Sequence, residues 1–472
     1  MKRVLVHTFG CQMNAHDSRR IEEALSADGY EPTDLAEHAD LIVLNTCSVR
    51  EKAEHKLVSA LGKLRPLKGD RPELRIVVAG CMASEHGPKL LDKLDLVDVM
   101  VGPDNIPELA GLVRKAQAGG RYAATALDED PRFLSAEPRT YDPITGRPET
   151  SAYVTVMKGC DERCSYCIVP HTRGAEKYRP AHDIVREIAT LVSAGVREIT
   201  LLGQTVNSWH EPTAVMADDE ESQFPELLRR IAAEVPELAR LRYTSPHPRH
   251  LTPALIAAHA ELAVLPSHVH LPVQSGSDRV LKRMIRRYRR DEYIERTNAL
   301  KAGRPGLTLA TDIIVGFPGE TEEDFQQTLS LVDAVQFITV FGFKYSPRPH
   351  TPALKLEDDV PEAVKSDRLE RLFTAVDVHQ RRHLDALVGS HAQVLFEGPS
   401  KSGAGKFAGR SERHEIVHVE APEGVDLTGK LLSVEITQAN KRSLAGRLLD
   451  LELARAIKAQ PRRPLRLPVV TV

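Results

Sequence analysis

Short apolar runs and segments of helical period alternate through the first part of the chain. Residues 4–6, 41–44, 76–79 and 97–101 are strand-like. Between them, residues 19–28 end at Gly29, residues 50–64 set Ala53, Leu57, Leu61 and Leu64 on one face, and residues 87–94 follow the third run. Strand and helix recurring about every 35 residues predict a doubly wound parallel sheet, an α/β domain over residues 1–118.

Residues 119–150 are rich in Gly, Pro and charge and have no period, which predicts a linker. Over residues 151–380 the alternation resumes. Strand candidates at 153–157, 198–202, 240–244, 268–273, 311–315 and 338–343 are separated by helical segments, including 183–194, 278–302 and 322–335. Six β/α repeats predict a parallel sheet curled into a partial (β/α)6 barrel, with its site at the carboxyl ends of the strands. Over residues 383–450 the pattern shifts again, to five short alternating strands, QVLFEG, GKFAGR, EIVHVEA, GKLLSVEIT and LAGRLLD. These predict a small OB-like β-barrel. The stretch 455–472 reads as a flexible tail, and the acidic run 218–221 as a solvated insertion.

The length of 472 residues suits about three domains of roughly 150 residues each. A net charge of -3 advertises no nucleic-acid partner through the global field, so any such surface is local. The N-terminus MKRVLVHTFGC has no apolar stretch of signal-peptide length, and no window approaches a membrane span of about 18 apolar residues. The expectation is a soluble cytoplasmic protein, monomeric because no heptad or repeat suggests an obligate assembly. In that compartment its six cysteines are metal ligands or catalytic groups before they are disulfides.

Three of them, Cys160, Cys164 and Cys167, stand as C-x3-C-x2-C in YVTVMKGCDERCSYCIVPHTR, directly after the first strand candidate of the middle domain. Three thiolates on one loop can hold three corners of a [4Fe-4S] cluster and leave one iron open to a chelating substrate. A Cys3His zinc site completed by His171 is the competing reading of the loop. The other three, Cys11, Cys47 and Cys81, each follow a strand candidate of the first domain by two or three residues. The carboxyl ends of parallel strands form one ligand-binding edge, so these thiols converge there as a second three-cysteine site. Gly10 and Gly80 precede two of them and would let the backbone approach a cluster. Three unrelated buried thiols are the bland alternative.

Polar residues crowd the ends of the other barrel strands: Gly203, Gln204 and Asn207; Ser245, His247 and Arg249; Gln274, Ser275, Gly276 and Ser277; and GFPGET from Gly316 to Thr321. His247 and His270 show no carboxylate partner in the sequence and are read as structural. In the C-terminal barrel, Lys401, Lys406, Arg410, Arg413, Lys441, Arg442 and Arg447 fall at strand ends and turns, which suits RNA phosphates, against the alternative of a solvated surface.

With these segments in place, the chain resembles the methylthiotransferases of the radical S-adenosylmethionine (SAM) superfamily. The resemblance rests on TFGCQMNAHDS, NTCSVREKAE, GCDERCSYCIVPHTRG, HLPVQSGSDRVLKRM and DIIVGFPGETEEDF, and its wording is closest to the branch acting on tRNA. The branch acting on a ribosomal protein usually has Pro-Lys where Gln12 and Met13 stand. Tyr178, where Ser is usual, and the inserted Pro246 depart from the pattern.

The resemblance implies two [4Fe-4S] clusters, an auxiliary one on Cys11, Cys47 and Cys81 and a SAM-cleaving one on Cys160, Cys164 and Cys167. It implies SAM contacts from Tyr166, Gly203, Gln204, Ser275 and Gly316. The C-terminal barrel becomes a TRAM domain gripping RNA through Lys401, Arg410, Lys441 and Arg442. The implied partners are a tRNA anticodon loop and a low-potential electron donor. The implied reaction places a methylthio group at C2 of N6-isopentenyladenosine at tRNA position 37. A radical abstractor is needed because that C–H has no useful acidity. A methylthiotransferase for another substrate, or a non-catalytic RNA-binding protein with structural clusters, are the other readings.

Overall fold

The computed structural model describes residues 2–48, 51–128, 133, 140–142, 146, 149–214 and 221–456. Most of the expected linker, the acidic residues 218–220 and the expected tail from residue 457 onward lie outside the described residues.

The first domain is a six-stranded parallel sheet of β1 (Lys2–Phe9), β2 (Tyr30–Pro32), β3 (Leu41–Thr46), β4 (Arg75–Gly80), β5 (Val99–Val101) and β6 (Tyr122–Ala124), in the order β2-β1-β3-β4-β5-β6. Strand β3 is buried at every position, as a central strand covered by helices on both faces must be. Ile21, Leu25 and Val113 close one face; Leu57, Leu61 and Leu91 close the other. The sequence pattern missed β2 and β6, because three-residue edge strands carry too few positions to show a period. The helix expected at 50–64 runs as Glu51–Asp70, through Pro66. Leu64 and Leu67 keep packing against the sheet, which offsets the hydrogen bond that the proline removes.

The middle domain adds β7 (Ser151–Thr155), the short antiparallel pair β8 (Met157–Lys158) and β9 (Lys177–Tyr178), then β10 (Glu198–Leu202), β11 (Arg240–Tyr243), β12 (His268–His270), β13 (Thr308–Val315) and β14 (Thr339–Lys344). Two parallel three-stranded sheets, β11-β10-β7 and β12-β13-β14, share one apolar core and form the six staves of a partial barrel. The single helix expected at 278–302 is two, Asp278–Arg283 and Arg290–Gly303. Ile285 and Arg287 hold left-handed backbone, with φ of 58° and 52°, and break it. The sequence reading also lacked the helix Glu362–Ala386, which runs from the barrel to the C-terminal domain. Its buried face, Leu372, Val376 and Leu384 beside Lys365 and Arg368, mixes charge with apolar residues and blurs the helical stripe.

The C-terminal domain is a closed barrel of β15 (His391–Pro399), β16 (Lys406–Arg410), β17 (Ile416–Glu420), β18 (Leu431–Ala439) and β19 (Leu444–Leu448), in the order β15-β16-β17-β19-β18. The helix Leu451–Ala456 follows, with Ala454 fully buried and its carbonyl accepting from Lys430 Nζ at 2.6 Å. Residues 455 and 456 are therefore helical rather than part of a loose tail.

Buried polar contacts join the three domains. Arg20 of the first domain donates to Glu187 of the second at 2.5 Å, and Arg179 donates to the other oxygen of the same carboxylate. His16 lies 3.2 Å from Thr155 Oγ1. At the far end of the middle barrel, Arg240 donates to the carbonyls of Arg410 and Gln393 at 2.8 and 2.5 Å, and Arg242 to that of Ser411 at 3.2 Å. Buried guanidiniums aimed at carbonyls fix one docking orientation, because a shifted docking would keep them buried while taking those acceptors away. Among the described residues no helix is long and apolar enough to cross a membrane.

Candidate active site

Each thiol of the first domain stands where a strand stops. Cys47 and Cys81 follow β3 and β4 immediately, closer than the two or three residues expected, and Cys11 lies just past β1. Cys11 caps the helix Gln12–Ala27, and Cys81 begins the helix Cys81–His86. A fully buried amide pair holds the strand ends together. Asn14 Nδ2 donates to Asn45 Oδ1 and to the Thr46 carbonyl at 3.2 and 3.3 Å, and Asn45 Nδ2 returns to the Asn14 carbonyl at 2.8 Å. Gly80, at φ +95°, has no room for a side chain: a Cβ there would meet Asn45 Oδ1 at 2.3 Å and the Thr46 carbonyl at 2.6 Å.

In the middle domain the loop after β7 and β8 brings Cys160, Cys164 and Cys167 together, with a backbone hydrogen bond from Cys167 to the Cys164 carbonyl at 3.1 Å. Cys160 Sγ lies 3.0 Å from Thr205 Oγ1. Two buried arginines point at sulfur. Arg173 Nε donates to Cys81 at 3.3 Å while its Nη2 donates to Asp17 at 2.6 Å, and Arg286 Nη1 donates to Cys164 at 3.3 Å. The sequence reading singled out neither arginine. Arg173 lies in the quoted VPHTRG segment, and only the three-dimensional docking of the domains shows its target. Arg286 is aimed inward by the break between the two helices, which no local period reveals.

Electrostatics separate the thiols. A hydrogen bond with Cys47, against burial and aided by Arg173, holds the Cys11 thiol down to about 6. Burial pushes Cys81 up, and pushes Cys160 and Cys167 up to about 12. Burial alone would raise the Asp17 carboxyl, but the Arg173 guanidinium and His16 together more than offset it and hold the carboxyl below its usual range.

None of the six cysteines is in a disulfide, and all six line one cavity of about 1930 Å³. Tyr166, Gly203 and Gln204 line it too, as do Arg410 and Arg442 toward the C-terminal barrel. Ser275 and Gly316 do not. Ser275 is fully buried and its Oγ accepts from the Ser277 backbone at 3.2 Å, and Gly316 donates to Glu320 at 2.6 Å with Lys365 packed over it. Lys401 and Lys441 are exposed and stand apart from the cavity. Both histidines read as lacking a carboxylate do face one: His270 Nε2 is 2.9 Å from Asp312 Oδ1, and His247 Nε2 is 4.0 Å from Glu162 Oε2. Those carboxylates lie 42 and 85 residues away in sequence, too far for local inspection to pair them.

The three-cysteine groups fit iron-sulfur clusters better than a closed zinc site. They are two sets of three soft ligands rather than of four, each on a wall of the same cavity, with guanidinium donors already directed at sulfur. His171, the proposed fourth zinc ligand, is not among the cavity's lining residues and pairs instead with His350, ring centroids 5.4 Å apart.

Residues 154–332 match the radical SAM superfamily, and residues 3–102 match the family described as uncharacterized protein family UPF0004. The fold is similar to that of the radical SAM methyltransferase TsrM from Kitasatospora setae, with a TM-score of 0.54 and 17% identity, covering 75% of this chain and 77% of that one. A radical SAM enzyme is thus the class that barrel and thiol loop define. The tRNA-2-methylthio-N(6)-dimethylallyladenosine synthase of Sorangium cellulosum (strain So ce56) is 57% identical over 100% of this chain and 99% of its own length. The enzyme of that name from Acidithiobacillus ferrooxidans (strain ATCC 53993 / BNL-5-31) is 44% identical over 95% of this chain and 97% of its own. The chain belongs to this family of tRNA-2-methylthio-N(6)-dimethylallyladenosine synthases.

Proposed function

We propose that the protein inserts a methylthio group at C2 of N6-isopentenyladenosine at position 37 of tRNA, beside the anticodon. The observation that carries this reading is the single cavity reached by both groups of three cysteines. When bound, a [4Fe-4S] cluster on each group and SAM at the second would supply a carbon-centred radical and a transferable sulfur.

The chain's own residues prepare the site. Cys160, Cys164 and Cys167 would hold one cluster, with Arg286 donating to Cys164 and Thr205 beside Cys160. Cys11, Cys47 and Cys81 would hold the other, with Arg173 donating to Cys81. Donors at sulfur favour the more reduced, more negative state of a thiolate-bound centre. The Asp17–Arg173 pair fixes the second group's distance from the first, because Asp17 belongs to one domain and Arg173 to the other. Tyr166, Gly203 and Gln204 are the proposed SAM contacts that face the cavity.

The C-terminal barrel suits the RNA. Arg410 and Arg442 line the cavity's far side, where phosphates of a splayed anticodon loop could be held while one unstacked base enters. A low-potential electron donor completes the proposed set of partners.

The test uses anaerobically reconstituted enzyme, reductant, SAM and an isopentenylated tRNA. Wild type releases 5'-deoxyadenosine and yields methylthiolated RNA by mass spectrometry. Cys160→Ala abolishes both products, whereas Cys47→Ala still releases 5'-deoxyadenosine but transfers no sulfur. Release that survives in Cys160→Ala refutes the assignment of the clusters.

A further inference from the structure

Three neighbouring strands place a histidine, an aspartate and a phenylalanine on one wall of the cavity. His270 ends β12, Asp312 lies in β13 and Phe341 in β14, and all three line the cavity. The parallel register sets Asp312 directly beside Phe341. His270 Nε2 is 2.9 Å from Asp312 Oδ1, and the rings of His270 and Phe341 meet edge-on, centroids 5.7 Å apart at 85°. Arg286 ties this wall to the cysteine loop: it donates to Cys164 Sγ at 3.3 Å and to the Pro272 carbonyl, two residues past His270, at 3.0 Å.

Phe341 is 49% exposed although it faces this lumen. An aromatic ring left uncovered inside a cavity gains by stacking on a flat ligand, and every nucleobase offers such a face. The His–Asp pair adds direction. In the tautomer that donates Nε2–H to Asp312, Nδ1 is an acceptor, and it has no partner among the described residues. An adenine carrying one alkyl group on its exocyclic nitrogen keeps one N–H there to donate.

We propose, resting on the tRNA reading above, that Phe341, His270 and Asp312 seat the target base: Phe341 stacks on the purine, and His270, oriented by Asp312, accepts the exocyclic N–H. The seat favours mono-alkylated over dialkylated adenine, because a second alkyl group removes the donor and leaves Nδ1 facing carbon.

The test is anaerobic fluorescence anisotropy of the cluster-loaded enzyme with three anticodon stem-loop RNAs. They carry N6-isopentenyladenosine, N6-methyl-N6-isopentenyladenosine or an abasic site at the target position. Wild type prefers the first over the abasic RNA by about tenfold or more. Phe341→Ala loses most of that preference and Phe341→Tyr keeps it. His270→Ala keeps a preference over the abasic RNA but no longer distinguishes mono- from dialkylated base. Iron content equal to wild type shows that each variant is folded. If wild type discriminates and both alanine variants discriminate equally well, the seat is elsewhere and the tRNA reading stands. If wild type binds the target-bearing and abasic RNAs alike, the tRNA reading and this inference both fall.

Discussion

Arg173 and Cys81 stand 92 residues apart in sequence and 3.3 Å apart in space. Arg173 belongs to the cysteine-loop side of the middle domain, yet its guanidinium serves a thiol of the first domain and is held there by Asp17 at 2.6 Å. A donor at a ligand sulfur stabilises the extra negative charge of a reduced centre. Arg173→Gln should therefore lower the reduction potential of the cluster proposed on Cys11, Cys47 and Cys81 by tens of millivolts, with Arg173→Lys in between. A redox titration followed by electron paramagnetic resonance reads this directly. An unchanged potential in Arg173→Gln would mean that the contact is purely structural.

Gly159, immediately before Cys160, has φ +82°, and a Cβ there would sit 1.9 Å from the Ala175 carbonyl oxygen. The neighbouring atoms are backbone, so no side chain can swing aside. Gly159→Ala must displace the start of the loop, and the three thiols lose their common focus. Iron on reconstitution should fall from about eight to about four per chain, while the thermal midpoint changes little because the barrel core is untouched. Full iron retention would show that the loop's geometry does not depend on this glycine.

His259 is buried at 1% exposure and its Nε2 lies 2.6 Å from the Tyr243 hydroxyl. Burial, reinforced by the nearby Arg304, lowers its pKa from 6.5 to about 3. Below pH 6.5 the unfolded chain binds a proton that the folded chain refuses, so stability falls as pH drops from 6.5 toward 3. The loss is up to about 1.4 kcal/mol per pH unit from this one group. Thermal midpoints measured between pH 7 and 4 should show this slope. His259→Gln should flatten it, and an equal slope in the variant would assign the acid sensitivity to other groups.

Much of this was readable from residue order, for reasons visible in particular residues. The convergence of Cys11, Cys47 and Cys81 follows from strand order alone, since each thiol ends a parallel strand and such strands end on one edge. The C-terminal barrel was readable because alternation survives along most of its strands: Val394 and Phe396, Val417 and Val419, and Leu432, Val434 and Ile436 belong to its core. The pairs that shape the cavity were not readable. Arg173 with Cys81, Arg286 with Cys164 and His270 with Asp312 are long-range contacts set by domain docking and by adjacent staves of the barrel. Ser275 and Gly316 fell outside the cavity because being near a strand's carboxyl end does not say which way a residue faces. Thr328 and Lys365 pack over them instead.

Glu187 is the hinge pin of the first domain's docking. Its two oxygens face Arg20, from the helix Gln12–Ala27, and Arg179, from its own domain, and all three side chains are buried. Removing the carboxylate takes from Arg20 and Arg179 the acid they share, and leaves Arg179 facing the carbonyls of Thr155 and Asp183. An uncompensated buried charge typically costs about 3–5 kcal/mol. Glu187→Ala should therefore loosen the domain contact before either core unfolds, since neither core contains these residues. Hydrogen exchange should rise in the helices Gln12–Ala27 and Ala181–Ser193 while strands β3 and β10 stay protected. Transfer of sulfur should fall more than release of 5'-deoxyadenosine, because in the proposed assignment the second uses only the middle domain's cysteines. A double-mutant cycle with Arg20→Ala separates the pair from general damage. Coupling of about 1 kcal/mol or more places the effect in this contact, and additive losses would place it elsewhere.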